Sequence, residues 1–315
     1  MAYYLGIDGG GSKTTCVVGD ETSQLGSAVA GPSNITRVGE PRARESLHEA
    51  IRTACAAAKI VPRLVVSACV GVAGVSSKDV ADCVREMVAE VIPGKIEAVG
   101  DMEIALHAAL GAGCGVVVIA GTGSIAFGRD ARGKIARAGG WGFSISDEGS
   151  AHWIGRTAVA ALLRAADEVI DDGVSQPTCR LFRELSSIWK IESYEQLART
   201  ANSNPDFAVL LPAVVSAADS GDGLAEQVLA QAGGELAKLA NIVVQRLFSE
   251  GLFPAHKAAI PLAMVGGVFR HALKVREIFC DTVRQVDPRL EINRSVVEPV
   301  TGALQMARNL AARPE

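Results

Sequence analysis

The chain has 315 residues, of which 49% are apolar and only 4% aromatic, and its formal net charge is −4. That is enough apolar mass for two ordinary domains or one large α/β unit, with a core of Ala, Val, Leu and Ile. An acidic balance without a basic run argues against nucleic acid as a partner, and no apolar run approaches the ~20 residues that span a membrane.

The opening run Tyr3-Tyr4-Leu5-Gly6-Ile7 reads as a buried strand ending in Asp8. It leaves no room for a leader, so a cytoplasmic location is expected. After Gly9-Gly10-Gly11-Ser12-Lys13, the β-branched run Thr14–Val18 reads as a second strand. The glycines therefore join two strands as a hairpin. Bare N–H groups in such a turn form a concave nest for anions, with phosphate the usual occupant. Asp8 would sit where hydrated Mg²⁺ bridges a carboxylate and phosphates, so a nucleoside triphosphate is the expected ligand. A Walker A loop is excluded: the lysine falls one place late, and the residues after it are a poor helix start.

Gln24–Ala30 completes a meander. A helix follows from Pro41 to about Ala58, then a buried strand at Leu64–Val72 and a helix from about Lys78 to Val91. The strand Ile96–Val99 ends in Gly100-Asp101, ahead of a helix at Met102–Leu110. Asp101 suits two roles there, capping that helix or accepting a hydroxyl proton at a strand end.

The order then recurs. Val116–Ile119, Ile125–Phe127 and Lys134–Ala138 make a second meander, with Gly121-Thr122-Gly123-Ser124 in its first turn. This turn matches the dinucleotide pattern GxGxxA, but it leads into a strand rather than a helix, so the Rossmann reading fails on context. Helices are expected over about Ser150–Ile170, Pro177–Ala201, Phe207–Ala218 and Leu224–Phe248. The strand Ile260–Val265 ends in Gly266-Gly267, and a helix at Leu273–Val286, a strand at Leu290–Val297 and a helix at Pro299–Leu310 close the chain. Asp147 and Glu148, just before the long helix, suit its first turn as acids facing the helix dipole. The seven cysteines are scattered without metal-ligand spacing and read as reduced, buried thiols.

The ordered set LGIDGGGSKTT, Gly100-Asp101, Gly121–Ser124, Gly139–Ile154 (GGWGFSISDEGSAHWI) and MVGGVF resembles the sugar kinase/Hsp70/actin superfamily. Within it the chain resembles the BadF/BadG/BcrA/BcrD ATPase family, and its N-acetylglucosamine kinase branch in particular. The resemblance implies an α/β chain of two ribonuclease H-like (actin-like ATPase) domains, each a mixed five-stranded sheet flanked by helices, facing across a cleft. The first would comprise residues 1–112 with the C-terminal helix 299–315; the second would comprise 113–298, with a helical insert at about 173–222. It further implies ATP and Mg²⁺ as cofactors. Gly9, Gly10, Gly11, Ser12, Lys13 and Thr14 would form the first phosphate loop, with Asp8 serving Mg²⁺, and Gly121, Thr122, Gly123 and Ser124 the second.

Gly266 and Gly267 match the adenosine motif, and Asp101 the catalytic aspartate. Asn34, Asp101, Thr122, Gly140, Trp141 and Asp147 fall where that branch holds the sugar. A Trp flanked by Gly140 and Gly142 also suits a sugar-lined pocket better than a packed core. The implied reaction is ATP-dependent phosphorylation, at O6, of an amino sugar: N-acetylglucosamine, glucosamine or N-acetylmuramic acid. A homodimer is the family's suggestion.

Two departures stand out. Val72-Ala73-Gly74 replaces a serine-glycine pair on the sugar side, and Phe143-Ser144-Ile145-Ser146 differs in side chain from its relatives. The other readings are an activator of a dehydratase, which needs cysteine ligands for an iron–sulfur cluster, and a non-catalytic sugar-sensing module, expected to lack Asp101.

Overall fold

A computed structural model describes residues 2–73, 78–168, 179–249 and 259–313. Gly74 of the Val72-Ala73-Gly74 departure and the start of the expected helical insert lie outside the described residues. The chain divides into two compact units, Met1–Gly113 with Val297–Glu315, and Cys114–Val296.

In the first unit β1 (Tyr3–Gly9), β2 (Thr14–Gly19) and β3 (Gln24–Ala30) form an antiparallel meander. A short α1 (Ile35–Val38) leads into α2 (Glu40–Ala57), β4 (Val65–Val72), α3 (Lys78–Ala89), β5 (Lys95–Gly100) and α4 (Asp101–Leu110). The sheet order is β3-β2-β1-β4-β5, with β1, β4 and β5 parallel. On α2, Leu47, Ala50, Ile51 and Ala54 recur at helical spacing and pack with Val84, Met87 and Val88 of α3 against one face of the sheet. β4 starts one residue later than the sequence predicts, because Pro62–Leu64 form a 3-10 turn.

The second unit repeats the plan. β6 (Gly115–Ala120), β7 (Ser124–Arg129) and β8 (Ile135–Gly139) are a second antiparallel meander, followed by α5 (Ala151–Glu168). Next come α6 (Arg180–Trp189), α7 (Tyr194–Ala201), α8 (Leu211–Asp219) and α9 (Gly223–Phe248). The stretch read as helical up to Ala201 holds two helices, because Lys190 ends α6 in a left-handed conformation and Ser193 caps α7 anew. β9 (Ile260–Val265), α10 (Gly267–His271), α11 (Leu273–Val286) and β10 (Leu290–Val297) complete the unit, with sheet order β10-β9-β6-β7-β8. The chain returns to the first unit as α12 (Pro299–Ala312), whose Val300, Ala303, Leu304 and Ala307 pack with Ile104 of α4 on the opposite face of the first sheet.

The repeat extends to single hydrogen bonds. Asp20, between β2 and β3, accepts on Oδ1 from the N–H groups of Thr22 and Ser23 at 2.8 and 2.7 Å. Asp130, between β7 and β8, accepts on Oδ1 from those of Arg132 and Lys134 at 2.8 and 2.9 Å. One turn device closes the second hairpin of both meanders. Among the described residues no single helix is long and apolar enough to cross a membrane.

Candidate active site

In the first unit the glycine turn is short: Gly10 N–H donates to Lys13 O at 2.9 Å, which folds Gly10–Lys13 back between β1 and β2. Ser12 and Lys13 are exposed at its tip. Thr14 is fully buried, with Oγ1 2.7 Å from the Gly31 carbonyl and 2.8 Å from Ser33 Oγ. Its hydroxyl therefore braces the turn against the segment after β3. Ser33 N–H also donates to Gly10 O at 3.2 Å, and a Cβ on Gly9 would lie 2.4 Å from Ser33 Oγ. These contacts bring Asn34, the residue before α1, alongside the first glycine turn. Asn34 Oδ1 accepts from Thr36 Oγ1 at 2.6 Å. Sequence reasoning missed Ser33, whose only signal is its place in GPSN.

Asp8 and Asp101 stand at the same end of the sheet. In the parallel register Gly9 lies level with Val72, and Val72 with Gly100. Both acids thus sit at the carboxyl ends of parallel strands, where open α/β sheets take their ligands. Asp101 is the first residue of α4 rather than its cap, which is Gly100; its Oδ1 accepts from Met102 N–H at 2.9 Å. Burial pushes the Asp8 carboxyl up to about 7; the neighbouring Asp101 and Glu298 add to this, and Lys13 opposes it. Asp101 is also raised by burial, against hydrogen bonds from the Met102 N–H and its own N–H.

This concentration of buried negative charge suits a divalent cation with oxygen ligands, for which Asp8 is placed to supply the carboxylate. The turn beside it fits phosphate, because Gly9, Gly10 and Gly11 leave its backbone without side-chain cover.

In the second unit Gly121 N–H donates to Gly123 O at 2.9 Å, closing the tight turn between β6 and β7. A Cβ on Gly121 would meet nothing within 4 Å, so the turn offers open space at that point. Gly266, with φ +104°, ends β9 against this turn: a Cβ there would lie 2.3 Å from Ala120 O. Gly267 opens α10. The sequence-predicted adenosine and second phosphate segments are therefore neighbours.

Gly140 is left-handed and presses on Ile125, and it presents Trp141 with 66% of its surface exposed. The Arg137 guanidinium stacks over the Trp141 ring at 4.4 Å. Asp147 is buried, and burial raises its carboxyl against hydrogen bonds from the N–H groups of Gly142 and Ser124. α5 begins at Ala151 with no acid in its first turn, which corrects the expectation that Asp147 and Glu148 face its dipole. The helix instead takes its first partners from the glycine turn, with Ala151 N–H donating to Gly121 O at 2.9 Å and His152 N–H to Thr122 O at 3.4 Å.

Comparison with known proteins places this architecture. An N-acetylmuramic acid/N-acetylglucosamine kinase of Clostridium acetobutylicum is 30% identical over 311 residues, covering 98% of this chain and 99% of the relative. An N-acetyl-D-glucosamine kinase of Dictyostelium discoideum is also 30% identical, over 97% of this chain and 98% of the relative. The crystal structure of a candidate N-acetylglucosamine kinase from Chromobacterium violaceum superposes with a TM-score of 0.74 at 24% identity, covering 98% of this chain and 99% of that one. A ROK family glucokinase from Streptomyces griseus, solved with glucose and AMPPNP, shares the fold at a TM-score of 0.62 and 15% identity, over 98% of this chain and all of that one. The model of the BadF/BadG/BcrA/BcrD ATPase family matches residues 5–307, and the chain belongs to that family.

Proposed function

We propose that this protein is an ATP-dependent kinase that transfers the γ-phosphoryl group to O6 of an amino sugar, N-acetylglucosamine or a close relative. The observation that carries the reading is the pair Asp8 and Asp101, two partly buried carboxyls at the carboxyl ends of parallel strands beside a bare glycine turn. Phosphoryl transfer asks little of a protein beyond a positioned hydroxyl, in-line geometry and compensation of phosphate charge. The glycine turns Gly9–Thr14 and Gly121–Ser124 supply N–H donors for the phosphates, Lys13 a cation, and Gly266 and Gly267 the adenosine segment, with Gly266 packed against the Gly121 turn and Gly267 open. Mg²⁺, when bound, neutralises phosphate oxygens, and Asp8 is its carboxylate.

Asp101 is the base. Its raised affinity for a proton makes it a better acceptor for the hydroxyl proton as the new bond forms. Asn34, Thr122, Gly140, Trp141 and Asp147 are assigned to the sugar, with Trp141 offering an apolar face to a pyranose ring. The names of the 30% identical relatives support the amino-sugar class.

Asp101→Asn tests the reading, because it keeps size and the hydrogen bond from Met102 N–H while removing the base. Turnover with N-acetylglucosamine and Mg·ATP is expected to fall about 10²–10⁴-fold with nucleotide affinity unchanged. Near-normal turnover would return Asp101 to a helix-terminal role. A panel of N-acetylglucosamine, glucosamine and N-acetylmuramic acid, with the phosphorylated carbon identified by NMR, fixes the substrate and the O6 position.

A further inference from the structure

Asp147 is the one non-glycine left-handed residue in the tract between β8 and α5, with φ 63°, and it is buried. That conformation is uncommon for a residue with a Cβ, and the surroundings must over-determine it. They do so through its carboxylate. The N–H groups of Gly142, next to Trp141, and of Ser124, at the end of the glycine turn, favour its charged form. The contact with the turn is close, since a Cβ on Gly123 would lie 2.6 Å from Asp147 Oδ2. Adjacent residues repeat the bracing. Ser124 Oγ donates to Glu148 O at 2.8 Å, and Ser146 Oγ to Glu148 Oε2 at 3.1 Å.

We infer that Asp147 is a positioning residue that locks the Gly121–Ser124 turn to the Gly140–Ser146 loop, so that it sets nucleotide affinity even when no sugar is present. The inference rests on the proposed reading of Gly121–Ser124 as a phosphate loop. The carboxylate lies against the glycine turn through Oδ2, and the preceding residue is bonded back into the other loop, with Ser146 N–H donating to Gly142 O at 2.9 Å. Removing the carboxylate takes away the side chain that the turn packs against and loosens the two loops together. A residue that only touched the sugar would leave nucleotide binding alone. Asp147 therefore acts on both ligands through the backbone, and the Trp141 side of the site becomes rigidly tied to the phosphate side within this unit.

The test is calorimetric binding of Mg·ADP without sugar, and of N-acetylglucosamine without nucleotide, to wild type, Asp147→Asn, Asp147→Gly and Gly121→Ala. Asp147→Gly relieves the left-handed backbone, so it folds without the strain that a larger residue would carry. Asp147→Asn retains one acceptor. Nucleotide affinity is expected to fall about tenfold in Asp147→Gly and by less in Asp147→Asn, in step with the loss of sugar affinity and with the thermal midpoint little changed. Gly121→Ala marks the loop, because its methyl group would enter open space at the turn.

Nucleotide affinity within twofold of wild type in both Asp147 variants, with Gly121→Ala weakened, would overturn the lock and leave Asp147 as a sugar contact. If Gly121→Ala also bound nucleotide normally, the phosphate-loop reading would fall and the lock with it. A drop in thermal midpoint with both affinities intact would show a purely structural residue.

Discussion

Asp8 carries a pH dependence whose sign is fixed by its surroundings. Its carboxyl is raised from 3.8 to about 7 by burial, then by Asp101 and Glu298, with Lys13 opposing. Between those values the folded chain holds a proton that the unfolded chain has released, so stability falls as pH rises through this window. The full span corresponds to ~4 kcal/mol, taken as an order of magnitude. Asp8→Asn removes the ionisation. Relative to wild type it is expected to gain unfolding free energy by a few kcal/mol between pH 5 and pH 8, measured by urea titration without nucleotide. Mg·ATP should stabilise wild type at pH 8 and stabilise the variant much less. A wild-type-minus-variant difference that stays flat with pH would remove Asp8 as the source. The candidate carboxylates were legible in the sequence because each ends a short apolar run before a turn or helix. Thr14 shows the limit: it reads as the first residue of a strand, yet Ser33 and the Gly31 carbonyl, which engage its hydroxyl, come from a segment that only tertiary structure brings near.

At the scale of elements, the hairpins, meanders and alternating helices were readable from period and turn chemistry, because those signals are local. Close approaches were not. α12 is pressed between β1 and α4, and each contact depends on a missing side chain. A Cβ on Gly6 would lie 2.4 Å from Leu304 N, and one on Gly302 would lie 2.1 Å from Ile104 O. Gly6 looks like an ordinary strand position and Gly302 like a weak point in a helix, since the partners of both lie far along the chain. Backbone atoms cannot yield as a side-chain tip can, so even one methyl group forces the helix away. Gly302→Ala raises intrinsic helix propensity, by about 1 kcal/mol. It should nonetheless destabilise the protein by a net ~1–3 kcal/mol through overpacking. Denaturant midpoints decide between the two effects, and a stabilised Gly302→Ala would show that α12 sits looser than these distances require. The left-handed Asp147 was hidden for a similar reason: nothing in DEGS announces which N–H groups will reach its carboxylate.

Across the whole molecule the two units have different relations to the chain. The second is one continuous stretch, Cys114–Val296, while the first needs residues from both ends. Its sheet has helices on two faces. One face is covered by α2 and α3, which follow early, and the other by α4 and the C-terminal α12. Until α12 is in place, Tyr4, Val17, Cys69 and Ile104 lack their partners Val300, Ala303, Leu304 and Ala307. Ser67 Oγ likewise lacks its 2.6 Å acceptor, the Ala307 carbonyl. The first unit thus closes through contacts of very high sequence separation, which are slow to form. The second has its own apolar cluster, built on α5, α8, α9 and α11 against its sheet, with no residue of α12 in it. A cavity at Leu304 should therefore be felt in one unit only. Leu304→Ala removes a buried side chain at a cost of ~2–5 kcal/mol. Native-state hydrogen exchange is expected to show lost protection in β1, β4 and α4, with β6, β9 and α9 unchanged, as separate cooperative units require. Equal loss of protection in both sheets would instead mean that the two units unfold as a single cooperative body.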